Sequence, residues 1–85
     1  MIMVAFPNPF STQNTIKYNV ETSGTLTIIL YDINGRQVKT LLDANTQSGN
    51  YTLEWNSADL TSGTYFAQAI MNGKPLQTLK LVKSN

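Results

Sequence analysis

Apolar and polar positions alternate along most of the chain. Ile16, Tyr18 and Val20 are separated by single polar residues, and the same two-residue period recurs around residues 26–30 and 51–55. Side chains of a β-strand point to opposite faces in turn, so this period predicts strands with one apolar face and one polar face. Seven strands are predicted, at about 2–6, 15–21, 25–32, 36–42, 50–56, 64–71 and 74–82.

Short turn signals separate the predicted strands. They are Ser23-Gly24, Asn34-Gly35, Ser48-Gly49, Ser62-Gly63 and Asn72-Gly73. Seven short strands with turns about every eight to twelve residues are typical of an immunoglobulin-like sandwich. No segment has a helical period, and 85 residues are enough for one domain. Residues 1–85 are therefore predicted to form a single all-β domain, an immunoglobulin-like antiparallel sandwich of about seven strands.

The apolar faces of these strands define a predicted core. Trp55 and the inward tyrosines fall on the same faces as the aliphatic residues, which favours packing in the core over a sugar-stacking surface. The residues expected to be mostly buried are Ile16, Tyr18, Leu26, Ile28, Leu30, Val38, Leu53, Trp55 and Tyr65.

The Asn34-Gly35 turn sets the pairing of the strands on either side of it. A two-residue loop would place inward Leu30 opposite Lys39 and bury a charge. A three-residue loop with Gly35 in the left-handed region instead matches the apolar faces. The pairs that this loop predicts are Asp32 with Arg36, Leu30 with Val38, and Leu26 with Leu42.

The same test applied to Asn72-Gly73 favours a three-residue loop over 71–73. That loop sets Tyr65 opposite Leu79, whereas the shorter loop sets it opposite Lys80. Pro75 lacks an N–H, so the last strand is expected to lie at the edge of its sheet.

Pro7 and Pro9 interrupt the ladder after the first strand. Proline cannot donate a backbone hydrogen bond and keeps the preceding residue extended, so this segment is predicted to end the strand and cross to the second sheet. Phe10 is expected to plug one end of the core. A recognition role for residues 6–10 is the alternative.

Composition excludes several classes of function. The net charge is +1 with six Lys and Arg residues, too few for a nucleic-acid surface. The apolar runs are too short to span a bilayer. The first residues lack the features of a signal peptide, so any export signal is expected elsewhere in a longer precursor.

Catalytic chemistry is not expected. The chain has no His and no Cys, and its five carboxylates are dispersed over turns and outward strand positions. Asp43 and Glu54 mimic the spacing of a calcium loop, but Gly49 comes one position late and Gln47 is a poor ligand. We therefore expect no enzyme activity, no cofactor and no metal.

Lys74, Lys80 and Lys83 lie near the C-terminus of the chain. Lysine is a common means of protecting an exposed strand edge, which is one interpretation of this cluster. Contact with a partner is the other.

Four blocks occur in a particular order along the chain: residues 6–10 (Phe-Pro-Asn-Pro-Phe), residues 31–36, Trp55, and residues 62–66. In this order and spacing they resemble the C-terminal sorting domain of type IX secretion cargo, of type A in the Por secretion family. The resemblance runs from Phe6 to about Lys83, and the chain continues past it with Ser84-Asn85. The positions that carry it are Pro7, Asn8, Pro9, Phe10, Asp32, Gly35, Arg36, Gly49, Trp55, Gly63, Tyr65, Lys80 and Lys83.

The resemblance implies a targeting role. An N-terminal passenger would pass through the periplasm, cross the outer membrane through the type IX translocon, and be secreted or held at the cell surface after a sortase removes the domain. Most motif residues are then expected to serve the fold of a monomer. Arg36, Lys80 and Lys83, expected to be exposed, are the predicted recognition residues, together with the last two strands.

An immunoglobulin-like accessory, adhesion or carbohydrate-binding module of a secreted multidomain protein is the alternative function. Fold alone cannot separate these classes. A carbohydrate-binding surface would need the outward residues Ile29, Tyr31 and Phe66 to form an exposed aromatic patch.

Overall fold

The computed structural model of the protein describes residues 1–84, which form seven strands and no helix. The fold is all-β, as predicted. The strands are β1 (Met3–Phe6), β2 (Gln13–Val20), β3 (Gly24–Asp32), β4 (Gln37–Thr46), β5 (Gly49–Asn56), β6 (Gly63–Met71) and β7 (Lys74–Lys83).

Two antiparallel sheets pack face to face as a β-sandwich. One has three strands in the order β1-β2-β5, and the other has four in the order β4-β3-β6-β7. The last strand therefore lies at the edge of the larger sheet, as Pro75 indicated.

The core lies between the sheets and contains most of the residues predicted for it. Phe10 fills one end, and its ring centroid lies 5.5 Å from that of Trp55. One prediction was wrong, because Val38 is 39% exposed, whereas Leu53 is half-buried and packs against the core. The confirmed core residues are Ile16, Tyr18, Leu26, Ile28, Leu30, Trp55 and Tyr65.

The β3–β4 turn has the predicted three-residue loop. The N–H of Asp32 donates to the carbonyl of Arg36 at 2.9 Å, and Gly35 has a φ of +81°. Residues with a Cβ atom are disfavoured at that φ, so the position favours glycine.

The pairing beyond that turn differs from the prediction. Val38 and Leu41 are extra residues on β4, so Leu30 lies opposite Lys39 after all. Val38, the unpaired residue of one bulge, is left exposed, and the pairing of β4 continues through Thr46, four residues past the predicted end. Leu26 accordingly lies opposite Ala44 and not opposite Leu42.

Although Lys39 lies opposite Leu30, its charge is not buried without a partner. Its Nζ donates to Oδ1 of Asp59 and to the carbonyl of Asn56, each at 3.1 Å, and lies 5.9 Å from the ring centroid of Trp55. The hydrogen bond from Lys39 holds the pKa of Asp59 below its ordinary value. Lys39 on β4 is therefore linked to the end of β5 and to Asp59, and its charge is paired.

The β6–β7 turn is shorter than predicted. Asn72 and Gly73 form a two-residue loop with φ angles of 51° and 82°, as a type I′ turn requires, so the three-residue loop was wrong. Leu76 is an extra residue on β7, and it shifts the pairing so that Tyr65 lies opposite Leu81. A bulge thus keeps Lys80 from facing inward opposite Tyr65.

The Pro7–Pro9 segment crosses between the sheets, as predicted. β1 ends at Phe6, both X–Pro peptide bonds are cis, and Phe10 forms a parallel bridge to Lys83 on β7. The segment thereby joins the edge of one sheet to the edge of the other.

Candidate recognition surface

The motif residues on buried positions hold the fold together through polar contacts as well as packing. Nε1 of Trp55 donates to Oδ1 of Asn14 at 3.2 Å, and Nδ2 of Asn14 donates to the carbonyl of Pro7 at 2.8 Å. The hydroxyl of Tyr65 donates to the carbonyl of Thr61 at 2.6 Å. The sequence reasoning missed Asn14, although a polar residue beside an apolar strand position must find partners when it is buried.

Asp32 and Arg36 stabilise the β3–β4 turn. Oδ1 of Asp32 accepts from the N–H groups of Asn34 at 2.9 Å and Arg36 at 3.0 Å, and Oδ2 accepts from Nε of Arg36 at 3.0 Å. The hydrogen bond from the Arg36 N–H is the main reason that the pKa of Asp32 lies below its ordinary value. The Arg36 side chain is still 78% exposed, so it can also be reached from outside.

Gly49 and Gly63, the two other motif glycines, are the first residues of β5 and β6.

Lys80 and Lys83 point to opposite faces of β7. Lys80 is exposed on the outer face, whereas Lys83 is only 8% exposed and its Nζ donates to the carbonyl of Ser84 at 3.3 Å. The expectation that Lys83 is exposed was wrong because it follows buried Leu81 by two residues and so shares its face.

Lys80 stands at one border of the outer face of the four-stranded sheet. It lies opposite Phe66, which lies opposite Tyr31 on the next strand. The outward positions of β3, β6 and β7 carry no carboxylate, and no ion pair among residues 1–84 includes Lys80. Its charge is therefore available to a partner.

The outer face of this sheet does not present the patch that carbohydrate binding would need. Ile29, Tyr31 and Phe66 lie on neighbouring strands, but each is half-buried and none is exposed. This observation disfavours the sugar-binding alternative.

Asn8 covers part of the edge of β7. Its Nδ2 donates to the carbonyl of Lys80 at 3.0 Å, and its Oδ1 accepts from the N–H of Val82 at 2.9 Å. One amide side chain thus supplies the donor and the acceptor that a neighbouring strand would supply. Phe10 continues this contact: its N–H donates to Val82 at 2.9 Å, and its carbonyl accepts from Ser84 at 2.7 Å.

The side chain of Gln77 links β7 to β1 at an earlier point along the strand. Its Nε2 donates to the carbonyl of Met3 and its Oε1 accepts from the N–H of Met3, each at 2.8 Å. This pair of bonds ties β7 to β1 across the two sheets. The sequence analysis did not identify Asn8 or Gln77 as such contacts, because amide bonds between residues 72 to 74 positions apart leave no local pattern.

Part of the β7 edge on the N-terminal side of the Asn8 contact is free. Backbone groups of alternate residues face the same neighbour in an antiparallel strand, and the pairing with β6 is regular from Gln77 to Lys83. Since the Lys80 carbonyl points away from β6, so do the Lys80 N–H and both backbone groups of Thr78. Within residues 1–84 none of these three groups has a hydrogen-bond partner. The unpaired stretch therefore ends at the Lys80 N–H and does not reach Lys83.

The described residues do not form a metal site or a membrane-spanning helix. Asp43 lies on β4 opposite Thr27, in a strand and not in a loop. Among residues 1–84, no three His, Cys, Asp or Glu residues converge on a common point. No helix in that range is long and apolar enough to cross a membrane.

Comparison with known proteins identifies one match. A protein-family model described as the secretion system C-terminal sorting domain matches residues 4–84, nearly the whole chain. No curated protein and no solved structure matches the chain.

Proposed function

Because the chain belongs to the family of secretion system C-terminal sorting domains, we propose that it is the type IX address of a passenger protein lying N-terminal to it. The passenger is carried through the periplasm and across the outer membrane by the type IX translocon. A sortase then removes the domain, and the passenger is released or held at the cell surface. The family match supports the sorting role, and sortase removal is our inference from it.

The observation that carries this proposal is the division of the motif residues between core and surface. Phe10, Trp55 and Tyr65 are buried, whereas Lys80 is exposed on the edge strand with no ion-pair partner among residues 1–84. A signal must present something to its receptor, so we assign the contact with the translocon to β7 and Lys80. Arg36, at the same end of the sheet, is a second contact.

Lys83 has a different role in this account. Its stem is buried beside the Phe10 bridge, so it closes the end of the sandwich and is not presented to the receptor. We infer that Lys83 stabilises the fold in which Lys80 is presented.

Export of a reporter tests the proposal. A signal peptide and a fluorescent protein are fused to residues 1–85, and the fusion is expressed in a host with a type IX system. Lys80→Gln should reduce the exported fraction severalfold while the melting temperature of the domain stays near that of the wild type, because exposed substitutions usually change stability by less than about 0.5 kcal/mol.

Lys17→Gln is the matched control. Lys17 is exposed on the outer face of the other sheet, so its replacement removes the same charge at a different place. We expect normal export of this variant. Equal export of both variants and the wild type would remove Lys80 from the signal, and failure of wild-type export would favour an accessory module.

A further inference from the structure

The free part of the β7 edge lies between two groups of very different character. Toward the C-terminus is the charge of Lys80, and toward the N-terminus is Leu76, an apolar side chain that is 50% exposed. Between them are the three unpaired backbone groups of Thr78 and Lys80. Leu76, Thr78 and Lys80 follow one another at two-residue intervals along the edge.

A hollow of about 210 Å³ lies beside Leu76. Its lining consists of the apolar residues Met1, Val20, Met71 and Leu76 and the polar residues Glu21 and Thr22. It is large enough to receive an aliphatic side chain. The edge therefore offers an apolar hollow, a short row of backbone hydrogen-bonding groups, and a cation, in that order.

We infer that this edge binds one extended peptide segment by strand addition. The bound segment pairs its backbone with Thr78 and Lys80, places an apolar side chain in the hollow at Leu76, and sets a carboxylate against Lys80. Main-chain bonds supply affinity and the two side-chain sites supply specificity, as in other proteins that add a strand to a sheet edge. The inference deepens the proposed function and rests on it, since the segment belongs to the secretion machinery.

The structure also limits the length of the added strand. Asn8 and Phe10 already occupy the edge at Val82, and Pro75 cannot donate to a partner at the other end. From Leu76 to Lys80 a strand spans about 13 Å at ~3.3 Å per residue. The bound segment is therefore about five residues long.

Charge complementarity selects an acidic segment. Lys80 is the one charged residue among the outward positions of β3, β6 and β7 from Thr25 to Val82, and those positions carry no carboxylate. The competing explanation is that Lys80 only protects the edge from pairing. If Lys80 only protects the edge, no peptide segment should bind at Thr78. Binding at Thr78 therefore distinguishes strand addition from edge protection.

Replacement of Thr78 in the reporter fusion tests the backbone pairing. Thr78→Pro removes the outward N–H, and it breaks no bond to β6 because that N–H faces away from the sheet. Thr78→Val keeps the N–H and the shape and is the matched control. We expect export to be lost with Pro and kept with Val, while both purified domains melt close to the wild type.

The outcomes are distinguishable. If the wild-type fusion is not exported, the proposed function fails. If it is exported and a folded Thr78→Pro variant is exported equally well, the proposed function stands and strand addition at Thr78 is contradicted.

A titration of the wild-type domain tests the inference independently of export and of how Thr78→Pro folds. The probes are two acetylated, amidated pentapeptides, Asp-Thr-Val-Thr-Leu and Leu-Thr-Val-Thr-Asp, which cover both strand directions. At least one should shift the amide signals of Thr78 and Lys80 saturably, leave that of Val82 unchanged, and bind severalfold more weakly when its Asp is replaced by Lys. No saturable shift at Thr78 and Lys80 with either peptide would overturn strand addition, and equal binding of the Lys peptides would overturn the acidic preference.

Discussion

The Oδ1 atom of Asn8 accepts a hydrogen bond from the backbone N–H of Val82 at 2.9 Å, although 74 residues separate them in the chain. The same amide donates to Lys80 at 3.0 Å. The beginning of the domain thus supplies part of the missing neighbour of its last strand. Two hydrogen bonds therefore link the first turn of the domain to its last strand.

Replacing Asn8 should loosen the C-terminal half of β7. Asn8→Ala removes two hydrogen bonds and should lower the free energy of unfolding by about 1–2 kcal/mol. Amide exchange at Val82 should quicken by more than the global loss explains. In Asn8→Asp, which keeps the acceptor, the Val82 amide should stay protected, and equal exchange at Val82 in both variants would contradict this role.

Trp55 is the largest side chain at the Phe10 end of the core. Trp55→Ala should cost about 3–5 kcal/mol, because the ring leaves a cavity and the Asn14 side chain loses a partner. Urea denaturation measures the loss. A cost below about 1 kcal/mol would mean that the site collapses onto the gap, contrary to the close packing seen here.

The two C-terminal motif lysines should differ in their effect on stability. Lys83→Ala removes a buried aliphatic stem, whereas Lys80→Ala removes an exposed one. We expect the Lys83 variant to be less stable than the Lys80 variant by roughly 1–2 kcal/mol. Thermal melts of the two proteins under one set of conditions decide the matter, and equal melting temperatures would refute the burial of Lys83.

Acid should weaken the β3–β4 turn. The Arg36 N–H lowers the pKa of Asp32 in the folded state, so this carboxylate contributes stability above its unfolded pKa and loses it as the pH falls through the lower, folded value. The difference in melting temperature between the wild type and Asp32→Asn should be present at neutral pH and shrink in that acidic range. A difference that does not change with pH would show that the ionised form of Asp32 contributes nothing.

Calcium should not affect the domain. Asp43 is part of β4, where its Oδ1 accepts from the hydroxyl of Thr27 at 3.3 Å. The melting temperature in millimolar calcium should equal that in EDTA. A rise of several degrees with calcium would reveal a cation site.

The strands and the buried faces could be predicted from the sequence because each rests on a local two-residue period. The pairing of the hairpins could not. A bulge at Val38 or Leu76 changes every later pair but has no signature of its own, so matching apolar faces across an unbulged hairpin selects the wrong register. The two-residue period of β7 places Lys83 on the inward face with Leu81, whereas the charge of a lysine favours exposure.

The edge of β7 was the least predictable part of the candidate site. Its position at the edge follows from Pro75, but the cover over Val82 depends on one amide far away in sequence. A residue between two prolines that carries both a donor and an acceptor is a weak signal for such a contact. The role of Asn8 depends on the crossing segment lying beside β7, a position that the local sequence does not indicate.

Export of the wild-type reporter fusion is the most direct test of the central claim that this domain is a type IX address. The fluorescence outside the cells is compared between a host with the type IX translocon and an otherwise identical host without it, and a fusion lacking residues 1–85 controls for leakage. We predict that the intact fusion leaves the cell only when the translocon is present. Retention of the fusion in the periplasm of both hosts would contradict the account.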